Sequence, residues 1–367
     1  MTGPLRIAVA GGGPAGLATA LALARTGARV RLYERAPQLG EVGAGLQISP
    51  NGARALRGLG LGDRLEAIGL ASRAVVPTDG LTGRAVARFD LSKQSPPYRF
   101  VSRPALVAAL ADGCRAAGVD LHLGAEVDTA GADLLVGADG IRSSLRAALN
   151  GAAAPAFTGQ VAWRAVIAAG AAPEARIWML PGRHVVSYPL PDGRLNLVAV
   201  QERQAWAAES WSTPGDPAEL QAAFADACAP LRTLLGQVTE TALWGLFLHP
   251  VAARWHDNAR VLVGDAAHPT LPFLAQGANL ALEDAFVLAR CIDADGLAGL
   301  SRYQSARQAR VTRAIAAARA NAANYHLQGL RRRVALVGLA GIGRVAPDAF
   351  LRRLAWLYDY DPVSAPI

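Results

Sequence analysis

The sequence predicts an α/β protein of two domains and a tail: a Rossmann-like domain, an antiparallel-sheet domain and a C-terminal helical segment. Three observations predict it. At residues 7–18, IAVAGGGPAGLA, an apolar run meets a glycine-rich turn, the pattern of a strand–turn–helix nucleotide site. Residues 155–200 and 240–250 alternate apolar and polar positions and carry turn signals such as Pro191-Asp192-Gly193, as half-buried antiparallel strands do. From residue 301 the chain reads SRYQSARQARVTRAIAAARANAANYH, helical by pattern with a stripe of alanines.

The bulk numbers bound the answer. At 367 residues, 52% hydrophobic and 18% charged, the chain has room for two or three domains and a large core. The net charge of +8 comes almost wholly from arginine, Lys93 being the only lysine. Such a surplus attracts anions, a pyrophosphate or a carboxylated substrate among them. No stretch interleaves aromatic residues with a dense basic stripe, so no nucleic-acid partner is expected. Cys114, Cys228 and Cys291 are far apart and odd in number. They fit neither a disulfide framework nor a metal cluster, so no metal is expected and a reducing cytoplasm suits them. The opening MTGPLRIAVAGGG enters a strand without a signal-peptide pattern, and the apolar run 334–343 is too short and glycine-rich to span a bilayer. Arg331-Arg332-Arg333 beside it reads as a solvated helix end.

Taken in order, residues 6–10 read as a buried parallel strand. Gly11, Gly13 and Gly16 form G-x-G-x-x-G. The first glycine permits the tight turn, the second lets backbone approach a pyrophosphate, and the third lets helix and strand pack closely. Pro14 fits the first turn of a helix that stops near Gly27. Residues 29–34, RVRLYE, form the second strand, ending at Glu34 where a ribose 2′-hydroxyl is expected. That carboxylate argues against a 2′-phosphate, which Arg35 alone would favour.

A dehydrogenase of ordinary Rossmann type would continue its strands within about 150 residues. Here GEVGAGLQISPNGARALRGLGL (40–61) follows instead, a glycine-rich loop leading into a helix, and then a β-rich region. DLLVGADGIRSSLR (133–146) ends a strand at Asp139-Gly140, with Ser143 and Ser144 near a helix cap. Between the strand at 119–123 and this segment stands only GAEVDTAGA, expected to form a short surface hairpin. RVLVGDAAHPTLPFLAQGANLALEDAFVLA (260–289) ends another strand in Gly264-Asp265, passes through a proline-punctuated loop and opens a long amphipathic helix at Gly277.

These three segments in this order resemble the single-component flavin-dependent monooxygenases of the para-hydroxybenzoate-hydroxylase-like fold. The closer similarity is to the salicylate hydroxylase branch. It is carried by EVGAGLQISPN (41–51), the AWR of 162–164, RHVVSYP (183–189), GDAAHP (264–269), AQGANLALEDA (275–285) and WLYDYDP (356–362), across nearly the whole chain.

The resemblance implies a Rossmann-like FAD-binding domain. FAD would be held tightly by Gly11, Gly13, Pro14, Ala15, Gly16, Glu34, Arg35, Gly43, Ala44, Gly45, Arg103, Asp139, Asp265, Pro272, Gly277, Ala278 and Asn279. Arg103 matches a flavin-contacting arginine before a helix. Asp265 suits a ribityl hydroxyl. The helix from Gly277 would turn its positive end to the pyrimidine edge of the flavin, stabilising the anionic reduced form by about 0.3–1 kcal/mol.

His184 and Tyr188, four apart on an expected strand, share a face and match an active-site His and Tyr of relatives. A histidine, titrating ordinarily near pH 6.5, suits removal of a phenol proton, and Tyr188 would donate to the substrate. Gln47 and Pro272 are expected to line the substrate pocket. His268 reads as structural, and Glu283 and Asp284 as packing anchors.

The implied reaction has NAD(P)H, bound transiently, reduce FAD. O2 then forms a flavin C4a-hydroperoxide that hydroxylates a small phenolic or hydroxypyridine-like aromatic substrate. An epoxidase or N-hydroxylase tailoring a natural product stays open, since it shares every FAD motif; so do a reductase independent of O2 and a non-catalytic flavin sensor. A halogenase lacks support, its W-x-W-x-I-P motif being absent. Residues 1–72, 98–155 and 255–300 are assigned to the FAD domain, 73–97 and 156–254 to the sheet domain, and 301–367 to the helical region. The tail's alanine stripe would pack on the FAD domain or on a second copy in a homodimer.

Overall fold

The computed structural model describes residues 3–40, 45–204 and 214–367. Its first layer is a five-stranded parallel sheet built from three distant parts of the chain. Arg6–Ala10 lies between Arg29–Glu34 and Leu134–Gly137; Asp120–Leu123 extends one side and Arg260–Leu262 the other. Ile7, Val9 and Leu32 are wholly buried in it, as expected of strands covered on both faces. Helix Pro14–Arg25 packs on this sheet and against helix Gly277–Asp295. Thr26 ends the first helix and Gly27, at φ +89°, turns the chain into the second strand.

The expected hairpin after Leu123 is absent. Residues 124–133 form a turn-containing loop with no strand, closed by Gly124 N–H to Ala36 O at 2.9 Å. Ten polar and small residues are enough to cross between two parallel strands but bury too little to hold a two-stranded ribbon.

The second layer is an eight-stranded sheet. Its centre is antiparallel in the order Thr241–Leu248, Ala156–Ile167, Leu195–Glu202, Arg183–Pro189 and Glu174–Leu180. Ala74–Asp79 joins this edge in parallel, so residues far upstream belong to the same sheet. Side chains alternate across it. Trp163, Trp178, Val185 and Leu197 face helices Pro217–Ala223 and Ala229–Leu235, which the alternation pattern had not announced. Val200, Trp244 and Leu246 face inward toward Leu271 and Phe273. A small antiparallel sheet, Gly45–Ile48, Arg99–Ser102 and Gly69–Ala71, joins the two layers.

The tail is no appendage. Helix Gly299–Tyr325 packs on Gly277–Asp295, and its end reaches the eight-stranded sheet. Helices Gly329–Val345 and Pro347–Arg352 then contribute residues to the wall of the central cavity. Among the described residues no helix is long and apolar enough to cross a membrane.

Candidate active site

The glycine turn is shaped by steric necessity. Gly11 has φ +112°, and a Cβ there would lie 2.3 Å from the carbonyl oxygen of Ala138. A Cβ on Gly16 would lie 1.9 Å from the oxygen of Gly11. Gly13 differs: nothing described lies within 4 Å of its Cβ position, and it lines the cavity with Pro14 and Ala15. The middle glycine therefore leaves a cradle that a side chain would fill. Glu34 braces the turn, its Oε2 accepting from Gly12 N–H at 2.6 Å and its Oε1 from Ala36 N–H at 2.9 Å. Arg35 is exposed and Gly11, Gly16, Glu34 and Arg35 stay outside the cavity wall. Gly43 and Ala44 lie outside the described residues.

The second and third segments meet beside that turn. Ser143 caps helix Ser144–Asn150 by accepting from Arg146 N–H at 3.0 Å, while Asp139 Oδ2 accepts from Ser144 N–H at 3.0 Å. Asp139 Oδ1 is buried without a hydrogen-bond partner among the described residues, next to the cavity-lining Gly140. The Arg146 guanidinium donates to the carbonyls of Ala266, Ala267 and Pro250 and so pins the turn that carries Asp265. Asp265 has protein on its flanks but is exposed into the cavity. Burial pushes its carboxyl above the usual carboxylate range, against the pull of His268 and Arg103. Arg103 follows Ser102, whose hydroxyl caps the helix from Ala105 N–H at 3.2 Å, and it lines the same cavity.

Helix Gly277–Asp295 makes its first internal bond from Leu280 N–H to Gln276 O at 2.8 Å. The N–H groups of Gly277, Ala278 and Asn279 precede it, and Gly277 and Ala278 line the cavity. The Asn279 side chain is spent on protein: it accepts from Ser49 N–H and donates to the carbonyls of Gln47 and Ala275 at 2.9 and 2.7 Å. Only its backbone is left to face a cofactor. A glycine cradle, an orphaned acceptor and an unpaired helix start together fit a dinucleotide such as FAD.

Behind this end lies a buried charge network. His268 Nε2 pairs with Asp284 Oδ2; Arg307 bonds Asp284 Oδ1 at 2.7 Å and Glu283 Oε2 at 2.5 Å; Arg310 bonds both Glu283 oxygens at 2.8 Å. Asn51 donates to Glu283 at 2.6 Å and to Gln276 at 3.0 Å. Every carboxylate oxygen has a partner, which makes Glu283 and Asp284 anchors of the flavin loop and of the tail, whose Trp356 and Leu357 carbonyls accept from Arg310.

The cavity holds about 570 Å³ and runs from the glycine turn to the inward face of the eight-stranded sheet. His184 and Tyr188 lie on one strand and both line it. Tyr188 stacks on Phe100 with centroids 5.0 Å apart, and a Cβ on Gly45 would meet its ring at 2.7 Å, so that glycine admits the tyrosine. Burial pushes the Tyr188 phenol well up, countered by Arg164 and a hydrogen bond with Gln47; it is a donor at neutral pH. Gln47 also accepts from Tyr98 at 2.8 Å. Pro272 opens a short turn whose Phe273 packs 5.6 Å from the His184 ring.

His184 is 2% exposed. Burial, and then the neighbouring His326, hold its pKa well below the ordinary imidazole value, so at pH 7 it is unprotonated, with one ring nitrogen carrying a lone pair. Its Nδ1 lies 2.7 Å from His326 Nε2, and His326 Nδ1 lies 3.0 Å from Glu202 Oε1. Sequence reasoning missed His326 and Glu202. His326 stands 142 residues from His184, and no periodicity joins them. It also missed Arg164, stacked over Trp244 at 5.0 Å on the cavity wall, although the AWR segment pointed there.

With the geometry in place, comparison identifies the relatives. The model of the FAD binding domain family matches residues 5–133 and 128–318. The chain is 36% identical to 3-amino-4-hydroxybenzoate 2-monooxygenase of Streptomyces cremeus, over 88% of each chain. It is 32% identical to 3-hydroxybenzoate 6-hydroxylase of Polaromonas naphthalenivorans, over 97% of this chain and 96% of that one. The crystal structure of Klebsiella pneumoniae HpxO complexed with FAD and uric acid superposes with a TM-score of 0.81 at 25% identity, covering 95% of this chain and 97% of that one. The chain belongs to the FAD binding domain family and is a flavoprotein monooxygenase whose cofactor is FAD.

Proposed function

We propose that this enzyme uses NAD(P)H and O2 to hydroxylate a small phenolic aromatic acid, with His184 as the base that activates the ring. The observation that carries the reading is a buried imidazole on the wall of the chamber that Asp265 and Gly277 also line, with Tyr188 on its own strand and Arg164 and Gln47 on the same wall. Relatives named for hydroxybenzoates support the substrate class. So does the Arg164 guanidinium on the chamber wall, a partner for a carboxylate.

FAD, when bound, supplies the redox chemistry with NAD(P)H and O2 that delivers one oxygen atom to the ring. The protein does the rest. Gly13, Pro14, Ala15 and Gly45 bring backbone up to the cofactor, Asp265 and Arg103 offer it a carboxyl and a cation, and the helix start at Gly277 favours negative charge. Glu34, Asp139 and Arg35 serve its outer end. His184 accepts the phenol proton, raising electron density on the ring; Tyr188, held protonated, donates to the substrate, and Gln47 and Pro272 shape the wall. Trp244, Phe273 and Leu246 exclude water from the reacting centre.

The division into 1–72, 98–155 and 255–300 for cofactor, 73–97 and 156–254 for substrate, and 301–367 as cover follows from these roles. We infer a cytoplasmic homodimer. Three buried free cysteines suit the compartment, and Leu330, Val334, Val337 and Val345 form an exposed stripe on helix Gly329–Val345 where a second copy could seat.

The test is NAD(P)H oxidation by the purified yellow protein against hydroxybenzoates, aminohydroxybenzoates and hydroxynicotinates under labelled O2. One labelled oxygen in an aromatic product, with oxidation stimulated by that substrate, supports the reading. Peroxide alone from the whole panel overturns the substrate class.

A further inference from the structure

We propose that His184, His326 and Glu202 form a proton relay that carries the substrate's phenolic proton from the closed chamber to solvent. The proposal rests on the reading of His184 as the base. The juxtaposition is three titratable groups in series, 2.7 and 3.0 Å apart, starting at a cavity wall and ending on a side chain that is 48% exposed.

The hydrogen bonds order the protons along it. A Glu202 carboxylate only accepts, so His326 Nδ1 carries the proton of that contact and its Nε2 is a lone pair. That lone pair must accept from His184 Nδ1–H. The lone pair of His184 Nε2 is then left for the substrate. The Gln160 amide nitrogen stands 3.3 Å from His326 Nδ1, and a flip of that amide presents its oxygen to the same N–H instead. The shorter, charged contact to Glu202 decides the tautomer.

The transfer balances without any redox partner. The substrate O–H bond breaks and His184 gains Nε2–H. His184 Nδ1–H passes to His326 Nε2, His326 Nδ1–H passes to Glu202, and Glu202 yields its proton to water. Reprotonation of the product's phenolate runs the same bonds backwards and resets both imidazoles.

The surroundings favour this path. His326 caps the C-terminal end of helix Gly299–Tyr325, where the dipole favours transient positive charge, and its carbonyl accepts from Gly182 N–H at 3.2 Å, which fixes its place. Of the other charged groups nearby, Arg183 is turned to Asp226 at 2.7 Å and Arg332 to Asp79 at 2.5 Å. Tyr325, beside the His184 ring, has its phenol pushed up to about 12 by burial and keeps its proton.

The experiment uses the FAD-loaded enzyme and 4-hydroxy-3-nitrobenzoate, whose ionisation is visible. A stopped-flow pH jump on the complex reads how fast the bound phenol loses its proton. Glu202→Gln keeps the acceptor toward His326 but cannot take a proton, and it sits at a partly exposed position where folding is safe. The expected result is a slowing by about 10-fold or more, a larger solvent isotope effect and partial recovery in Glu202→Asp, with probe affinity unchanged. His326→Gln should match it.

Unchanged rates in both variants, with the probe bound, overturn the relay and leave the hydroxylase reading standing. A holoenzyme that binds neither this probe nor any hydroxybenzoate overturns that reading, and the relay with it.

Discussion

His268 and His184 are both buried, both paired to a second titratable group, and wired to opposite ends. His268 enters a closed network in which Asp284, Arg307, Glu283 and Arg310 satisfy one another and no member reaches the chamber. His184 opens to the chamber on one side and, through His326, to a partly exposed glutamate on the other. Burial alone does not make a histidine catalytic. A closed circuit of charges holds elements in place, whereas one open at both ends can move a proton. Buried ion networks otherwise tend to break even energetically, so their value lies in geometry.

The largest break in this comparison is Arg307→Met. It strands Glu283 and Asp284 without the one cation they share, a loss of about 3–5 kcal/mol in urea unfolding, together with weakened FAD retention. His184→Gln should leave stability and FAD content near wild type while lowering substrate-stimulated turnover by about 100-fold or more. A variant of His184 that retained full turnover would remove the contrast altogether.

Acid sharpens it further. His184 and His326 have folded pKa values lowered by burial, so the unfolded chain binds more protons below about pH 6.5 and stability falls as pH drops through that region. Glu283 and Asp284 have folded values lowered: burial opposes in both, and it is outweighed at Glu283 by Arg307 and then Arg310, and at Asp284 by His268 and then Arg307. Their contribution is present above about pH 4 and lost below it. Unfolding free energies from pH 8 to pH 3 should therefore decline in two phases. His326→Gln should flatten the upper one and Arg307→Met the lower one.

The smallest effect sits where the two systems meet. Ala275, at φ +54°, is the non-glycine residue among those described with a left-handed backbone, just before helix Gly277–Asp295. Ala275→Gly should gain about 0.5–1 kcal/mol by thermal or urea unfolding, the relief of strain exceeding the added freedom of the unfolded chain.

How much of this was legible depends on the distance over which each feature is specified. The turn at Gly11, Gly13 and Gly16 is local: strand, glycines and helix follow one another within a dozen residues, so spacing alone carries the geometry. Glu34 was legible as a strand-end acid, though not as the brace of Gly12. The face shared by His184 and Tyr188 followed from strand periodicity. The loop at 124–133 was misread because turn residues do not by themselves say whether flanking segments pair.

What the sequence by itself determined is the fold class, the cofactor turn and the strand that carries the candidate base. Each depends on residues a few positions apart, where backbone geometry leaves few choices. Only the tertiary structure decided that His326 meets His184, that Arg307 closes on Glu283 and Asp284, that Asn279 is spent on Gln47 and Ser49, and that the tail roofs the chamber. Those contacts join segments tens to hundreds of residues apart. Their partners are chosen by packing between layers, which no local pattern encodes.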